Sequence, residues 1–266
     1  MIKLLFDFHT HLDFYEDFDI EKVCSCIIKN KIKTFSASVN IESYKRNLNI
    51  KAEFIRIAER KGFSFEEADD LVNVSFGVHP SYLKYLPKKE NDAVNLLRPF
   101  YEESEIISEI GLDFFWEKES SPELQLMHLL IALDSANEGK KICVLHTKGA
   151  EKEIISVLKD FPNVRPVINW YDGPIDIYKK FIERGIYVTF GCELKYSDTI
   201  KDFLTITPES LILPETDNPS GEIWLGGADN SPALIKRIYK DIGEGIGKSI
   251  QETESLLELN LKSLLR

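Results

Sequence analysis

Short apolar runs alternate along this chain with longer stretches in which apolar residues recur at helical spacing. The first run, Leu4-Leu5-Phe6-Asp7-Phe8, is rich in β-formers and reads as a buried strand. Helical spacing follows over residues 20–31, then a strand over 33–39. A long amphipathic helix over 44–61 ends near Gly62, a residue type that closes helices well. The alternation continues with strand 71–78, helix 88–103, strand 105–110, helix 122–139, strand 141–146 and helix 151–161. Strand 165–169, helix 175–184, strand 185–190, a short helix at 198–204 and strand 210–217 come next. Two helices, 231–242 and 249–265, close the chain.

Apolar strands that alternate with helices imply parallel pairing and crossover helices. Eight such units in this length predict an α/β chain folded as a single (β/α)8 TIM barrel rather than an open sheet. Neither G-x-G-x-x-G nor a P-loop follows any strand, which removes the main reason to prefer the open sheet. No linker, low-complexity tract or repeat divides the sequence, so residues 1–266 are expected to form one domain.

The strand ends carry the candidate chemistry, because barrel enzymes place their reacting groups at the carboxyl ends of strands. Strand one leaves His9 and His11, which share a face because side chains alternate along a strand. Two imidazoles on one face can clamp a divalent cation. Strand three leaves His79, strand four Glu109, strand five His146, strand six Asn169, and strand eight Glu215 and Asp217. Four of the five histidines fall at these ends. The fifth, His128, lies inside a helical pattern and is expected to be structural.

Composition narrows the class. With 43% hydrophobic and 29% charged residues the chain reads as globular with a large core. It has no run of 18 apolar residues and no basic-apolar-small leader, so neither a membrane nor secretion is expected. The four cysteines form no CxxC pair, so free thiols in a reducing cytoplasm are expected. A formal charge of −11 argues against a basic surface that wraps nucleic acid. It leaves room for an enzyme that draws a phosphate to a bound metal, since the ion supplies the local positive charge.

Several segments, in this order, resemble the TatD-like metal-dependent deoxyribonucleases of the amidohydrolase-type barrels. They are Asp7-Phe8-His9-Thr10-His11, Gly77-Val78-His79-Pro80, Ser108-Glu109-Ile110-Gly111-Leu112-Asp113, residues 125–133, Val144-Leu145-His146-Thr147-Lys148 and Pro214-Glu215-Thr216-Asp217-Asn218-Pro219. Asn230-Ser231-Pro232 fits the run into the closing helices, so the resemblance covers essentially the whole chain.

The resemblance implies a binuclear metal site. His9, His11 and Asp217 hold one cation, Glu109 bridges, and His146 takes the second. Asp217 also orients or deprotonates the attacking water, in the hydrolysis of a phosphodiester. One or two divalent ions per chain are implied, Mg²⁺ or Mn²⁺ ahead of Zn²⁺. The implied substrate is DNA, single-stranded or frayed, attacked in the 3′ to 5′ direction, with operon partners left open.

Two positions depart from the pattern. Asn169 stands where the family carries a second-metal histidine, and an amide oxygen is a weak, hard ligand. Ser81 stands where many relatives carry a further histidine after His79-Pro80. His79 and Lys148 are read as substrate contacts, with Lys195 a second candidate for phosphate. Trp116 and Trp170, with Phe114, Phe115, Tyr171, Tyr196 and Trp224, are read as loop aromatics able to stack on unpaired bases. Two other readings stay open: a small-molecule amidohydrolase or deaminase on the same barrel, and a catalytically weakened metal-binding subunit. Glu109, at the position where the former often use a carboxylated lysine, favours the phosphodiesterase.

Overall fold

In the computed structural model, residues 4–266 are described, and each expected apolar run becomes a parallel strand. The strands are β1 (Leu5–Thr10), β2 (Ile32–Ala37), β3 (Val72–Ser75), β4 (Ile106–Asp113), β5 (Ile142–Lys148), β6 (Arg165–Ile168), β7 (Tyr187–Phe190) and β8 (Ile212–Pro214). The helices between them are α1 (Ile20–Asn30), α2 (Ile41–Arg60), α3 (Phe65–Leu71), α4 (Glu90–Glu103), α5 (Pro122–Gly139), α6 (Glu151–Val157), α7 (Ile175–Glu183) and α8 (Asp198–Ile206). After β8 come the single turn α9 (Gly221–Trp224), α10 (Ile235–Gly245) and α11 (Ile250–Leu265).

The chain divides into two compact units. One comprises the residues up to Ala37, Lys45–Val74 and Thr189–Arg266; the other comprises Ser38–Tyr44 and Ser75–Val188.

In the first unit β1 pairs with β2 from Leu5↔Ile32 to Thr10↔Ser36, and β2 lies beside β3. The turn after β8 bonds to the end of β1: the Asp217 N–H donates to the His9 carbonyl at 3.0 Å, and the His11 N–H to that of Asn218 at 2.8 Å. The core beneath is aromatic. Phe8 lies 5.0 Å from Phe35, and the Tyr239 hydroxyl of α10 accepts the Phe6 N–H at 3.1 Å. From α11, Asn260 donates to the carbonyls of Glu209 and Ile212, which satisfies backbone at the start of β8.

In the second unit β4, β5, β6 and the start of β7 run in that order. Between Ile107 and Ile110, β4 advances one residue more than β5 does between Cys143 and Leu145, which is a bulge. The chain beyond it needs glycine. A Cβ on Gly111, at φ +151°, would stand 2.0 Å from the His146 carbonyl oxygen. Replacing Gly111 with Ala should therefore destabilise the protein by about 3 kcal/mol or more. An unchanged urea midpoint would show that β5 can move aside.

Several boundaries differ from the sequence expectation. Helix α3 was not expected; it starts at a capping box in which the Ser64 side chain takes the Glu67 N–H and the Glu67 carboxylate takes the Ser64 N–H. Strands β4 and β5 run on to Asp113 and Lys148. Helix α6 stops at Val157, and β8 is shorter than residues 210–217 because its last residues turn to bond with β1.

Candidate functional site

In the first unit, strand alternation puts His9 and His11 on one face, their ring centroids 4.9 Å apart and edge to face. The His11 ring stacks on Phe14 at 4.7 Å, and its Nδ1 lies 3.2 Å from the Ala37 carbonyl oxygen. A carbonyl only accepts, so the proton is assigned to Nδ1 and the lone pair to Nε2. That Nε2 is 3.3 Å from Asp217 Oδ1, and His9 Nε2 is 3.9 Å from the same oxygen. All three side chains are buried. Two imidazole nitrogens converging on one carboxylate oxygen make a donor set that suits a divalent cation.

Asp217 reaches this place at a conformational cost. Its φ of +51° lies in the left-handed region, which few residues other than glycine adopt. A buried network holds it there. The Thr216 N–H and hydroxyl donate to the Asp7 carboxylate at 2.9 and 2.6 Å, and the Thr10 hydroxyl donates to the Asn218 carbonyl at 3.1 Å. Burial pushes the Asp7 carboxyl up to about 7 against the lowering effect of the Thr216 bonds. Backbone strain of this kind gathers at functional sites.

In the second unit the bulge of β4 carries Glu109. Ser38 fixes it: its N–H lies within bonding distance of the Ser75 and Ser108 carbonyls, and its own carbonyl accepts the Glu109 N–H at 2.9 Å. Glu109 Oε1 is 3.2 Å from His146 Nδ1, and His146 Nε2 is 3.0 Å from Asp113 Oδ2. The His79 ring meets that of His146 edge-on at 4.3 Å. One donor atom from each of His79, Glu109 and His146 lies within 4.8 Å of the other two. Burial alone would lower the His146 pKa, but Asp113 and then Glu109 outweigh it and hold it up at about 9. Asp113 is lowered to about 2 in spite of its burial, by His146 and by loop N–H groups. The cluster is thus built to draw positive charge, and its donors fit a divalent cation that competes with the proton.

His79 plays a different part. Its Nδ1 accepts the Ser81 N–H at 3.2 Å, with the Ser81 hydroxyl 2.7 Å away. An amide N–H only donates, so the ring proton is assigned to Nε2, which makes His79 a hydrogen-bond donor rather than a neutral ligand.

The remaining expected residues are placed as follows. Asn169 is buried at the end of β6, its N–H on the Leu145 carbonyl at 3.1 Å. Lys148 donates to the Trp170 carbonyl at 2.9 Å and pairs with Asp172 at 2.7 Å, so its charge is already engaged. Trp170 is half-buried at φ +39°, whereas Trp116 is 73% exposed and presented to solvent beside Phe115. Lys195 pairs with the buried Glu222 at 3.2 Å, which Tyr196 and Arg237 also bond. Trp224 is exposed. His128 is buried in α5 with Nε2 on the Pro87 carbonyl at 3.1 Å, as a structural histidine.

Sequence reasoning missed one contact, that of Asp113 with His146. A signal was present: Glu109, Gly111 and Asp113 follow the period of two that puts residues on one face of a strand. A cavity of about 460 Å³ bordered by Asp17, Glu21, Arg46 and Glu53 lies against α1 and α2 and contains none of these groups.

The sequence pattern of the TatD related DNase family matches residues 6–266. The chain belongs to this family. In sequence it is similar to the uncharacterized metal-dependent hydrolase YabD of Bacillus subtilis, 22% identical over 269 residues and covering 99% of both proteins. It is also similar to a putative deoxyribonuclease TATDN1 homolog of Enterocytozoon bieneusi, 28% identical over 202 residues, which covers 71% of this chain and 66% of that protein. Among solved structures, that of YjjV, a TatD homolog from Escherichia coli, superposes with a TM-score of 0.80 at 20% identity, over 99% of this chain and 98% of the other. This TatD-family chain therefore has the (β/α)8 barrel fold class expected of it and is a metal-dependent hydrolase. Among its described residues no helix is long and apolar enough to cross a membrane.

Proposed function

We propose that this TatD-family hydrolase is a cytoplasmic phosphodiesterase that degrades DNA, with single-stranded or frayed ends favoured. The observation that carries the reading is the pair of donor sets, His9 and His11 on Asp217 and Glu109 on His146, each suited to its own divalent cation. Such cations supply Lewis-acid polarisation of a phosphoryl oxygen and lower the pKa of water. Asp217 is the group that orients and deprotonates the attacking water. Glu109 and His146 would hold a second cation, and the His79 Nε2–H is placed to donate to a phosphate oxygen. Lys148 and Lys195 are engaged by Asp172 and Glu222, so neither is poised to draw a phosphate, an attraction that a divalent cation would supply when bound. The buried amide of Asn169, a hard oxygen ligand, favours Mg²⁺ or Mn²⁺ over Zn²⁺. Trp116, exposed beside Phe115, offers a face on which an unpaired base stacks. The deoxyribonuclease name borne by one relative points the same way.

Digestion of end-labelled single-stranded and duplex oligodeoxynucleotides with Mg²⁺, Mn²⁺ or Zn²⁺ tests this. Stepwise shortening of the single strand, stopped by a chelator, is expected. Asp217→Asn should slow it by about 10²–10⁴-fold, as removal of a general base does. Inertness towards every nucleic acid, with metal-dependent cleavage of an amide or lactone instead, would transfer the protein to the amidohydrolase reading.

A further inference from the structure

Asp113 sits between two things that the proposed function keeps apart: a histidine of the cation cluster and a loop of exposed aromatics. Its Oδ2 lies 3.0 Å from His146 Nε2. Its Oδ1 accepts the N–H groups of Phe115, Trp116 and Glu117 at 2.9, 2.6 and 3.3 Å. The backbone of Asp113 is clamped from both sides by the buried Gln125, whose side chain accepts the Asp113 N–H at 2.8 Å and donates to its carbonyl at 3.0 Å. Gln125 also donates to the Ser120 carbonyl at 3.1 Å, which ties down the far end of the same loop. The backbone of Asp113 is therefore a fixed base for a carboxylate with one oxygen on the ring and one on the loop.

Asp113 does not join the donors of His79, Glu109 and His146 that converge within 4.8 Å. With both oxygens occupied, it is placed to hold a ligand rather than to be one. A carboxylate on one nitrogen of a ligating histidine fixes the tautomer and aims the other nitrogen. Here that leaves Nδ1 facing Glu109.

We propose that Asp113 is a positioning residue that couples the two: it aims His146 Nδ1 at a divalent cation shared with Glu109, and through the same carboxylate it sets the loop that presents Phe115 and Trp116. Movement of His146 on taking a cation is transmitted to the Asp113 carboxylate and, with the Asp113 backbone held by Gln125, is passed through the other carboxylate oxygen to the loop N–H groups. Cation uptake and the stance of the single-strand platform are then one event. This rests on the proposed function for the ligating role of His146.

The variant Asp113→Asn separates the two loads. Its amide oxygen still accepts the loop N–H groups, while its NH₂ cannot accept the proton of His146 Nε2. Zn²⁺ affinities are read by competition with a chelating dye, and the Trp116 environment by ¹⁹F NMR of fluorotryptophan-labelled protein, with the resonance assigned from Trp116→Phe. In the parent protein Zn²⁺ should shift the Trp116 resonance. In Asp113→Asn one of two binding steps should weaken by about 10–100-fold, the usual loss when the carboxylate that orients a ligating histidine is removed. The step that depends on His9 and His11 should be unchanged, and the metal-free Trp116 resonance should stay in place. Wild-type affinity at both steps in Asp113→Asn would overturn the positioning role. A Trp116 resonance blind to Zn²⁺ in the parent would overturn the coupling. Absence of any Zn²⁺ step in the parent would overturn this inference and the metal-dependent reading together, a result distinct from the other two.

Discussion

A protein carrying both His9→Ala and His11→Ala is expected to lose one step of divalent-metal uptake and to hydrolyse its substrate at least about a thousandfold more slowly. Removing a partner that merely orients a ligand costs about 10–100-fold in affinity or activity. Here two ligating nitrogens go at once, and Asp217 is left as a buried carboxylate without the two Nε2 atoms that face its Oδ1. The Thr216 bonds to Asp7 and the backbone bonds between the β8 turn and β1 do not involve the imidazoles, so the fold should survive the change. Elemental analysis on the purified double variant measures the effect, with circular dichroism as the control for folding. Unchanged metal content would remove His9 and His11 from the site.

The second large effect concerns Asn169. A neutral amide oxygen contributes less to a divalent cation than an imidazole does, so two unequal steps are expected in a metal titration. The tight step belongs to His9, His11 and Asp217, and the loose one to the cluster around Glu109 and His146. If hydrolysis requires both cations, activity should follow the loose step. Asn169→His should tighten that step about tenfold or more and shift activation to correspondingly lower metal concentration. The position is buried at a strand end beside Leu145, so the test needs the melting temperature of the variant alongside its titration. Two tight steps combined with inertness towards every DNA substrate would favour a metal-binding subunit over a nuclease.

Much of this was legible in the chain itself. Period-two alternation placed His9 and His11 on one face, and the same alternation of strands and helices specified parallel strands with ligand-type residues at their ends. These are local properties: each depends on the few neighbouring residues that set a strand face or start a helix. The exceptions are local signals that were outweighed. The strand read over 105–110 stops short of Gly111, yet β4 runs through it to Asp113, with the His146 carbonyl so close that no side chain would fit there.

What tertiary structure alone decided is direction. The bulge that turns Glu109 depends on Ser38, which bonds to β4 from a distant part of the chain. The left-handed turn at Asp217 sits beside Thr216, whose partner Asp7 lies 209 residues away. The tautomers of His11 and His79 follow from the Ala37 carbonyl and the Ser81 amide, and the engagement of Lys148 follows from Asp172 and the Trp170 carbonyl. Periodicity says which residues share a face. Hydrogen bonds between segments remote in sequence say which atom of each residue points at the chemistry, and no local pattern encodes them.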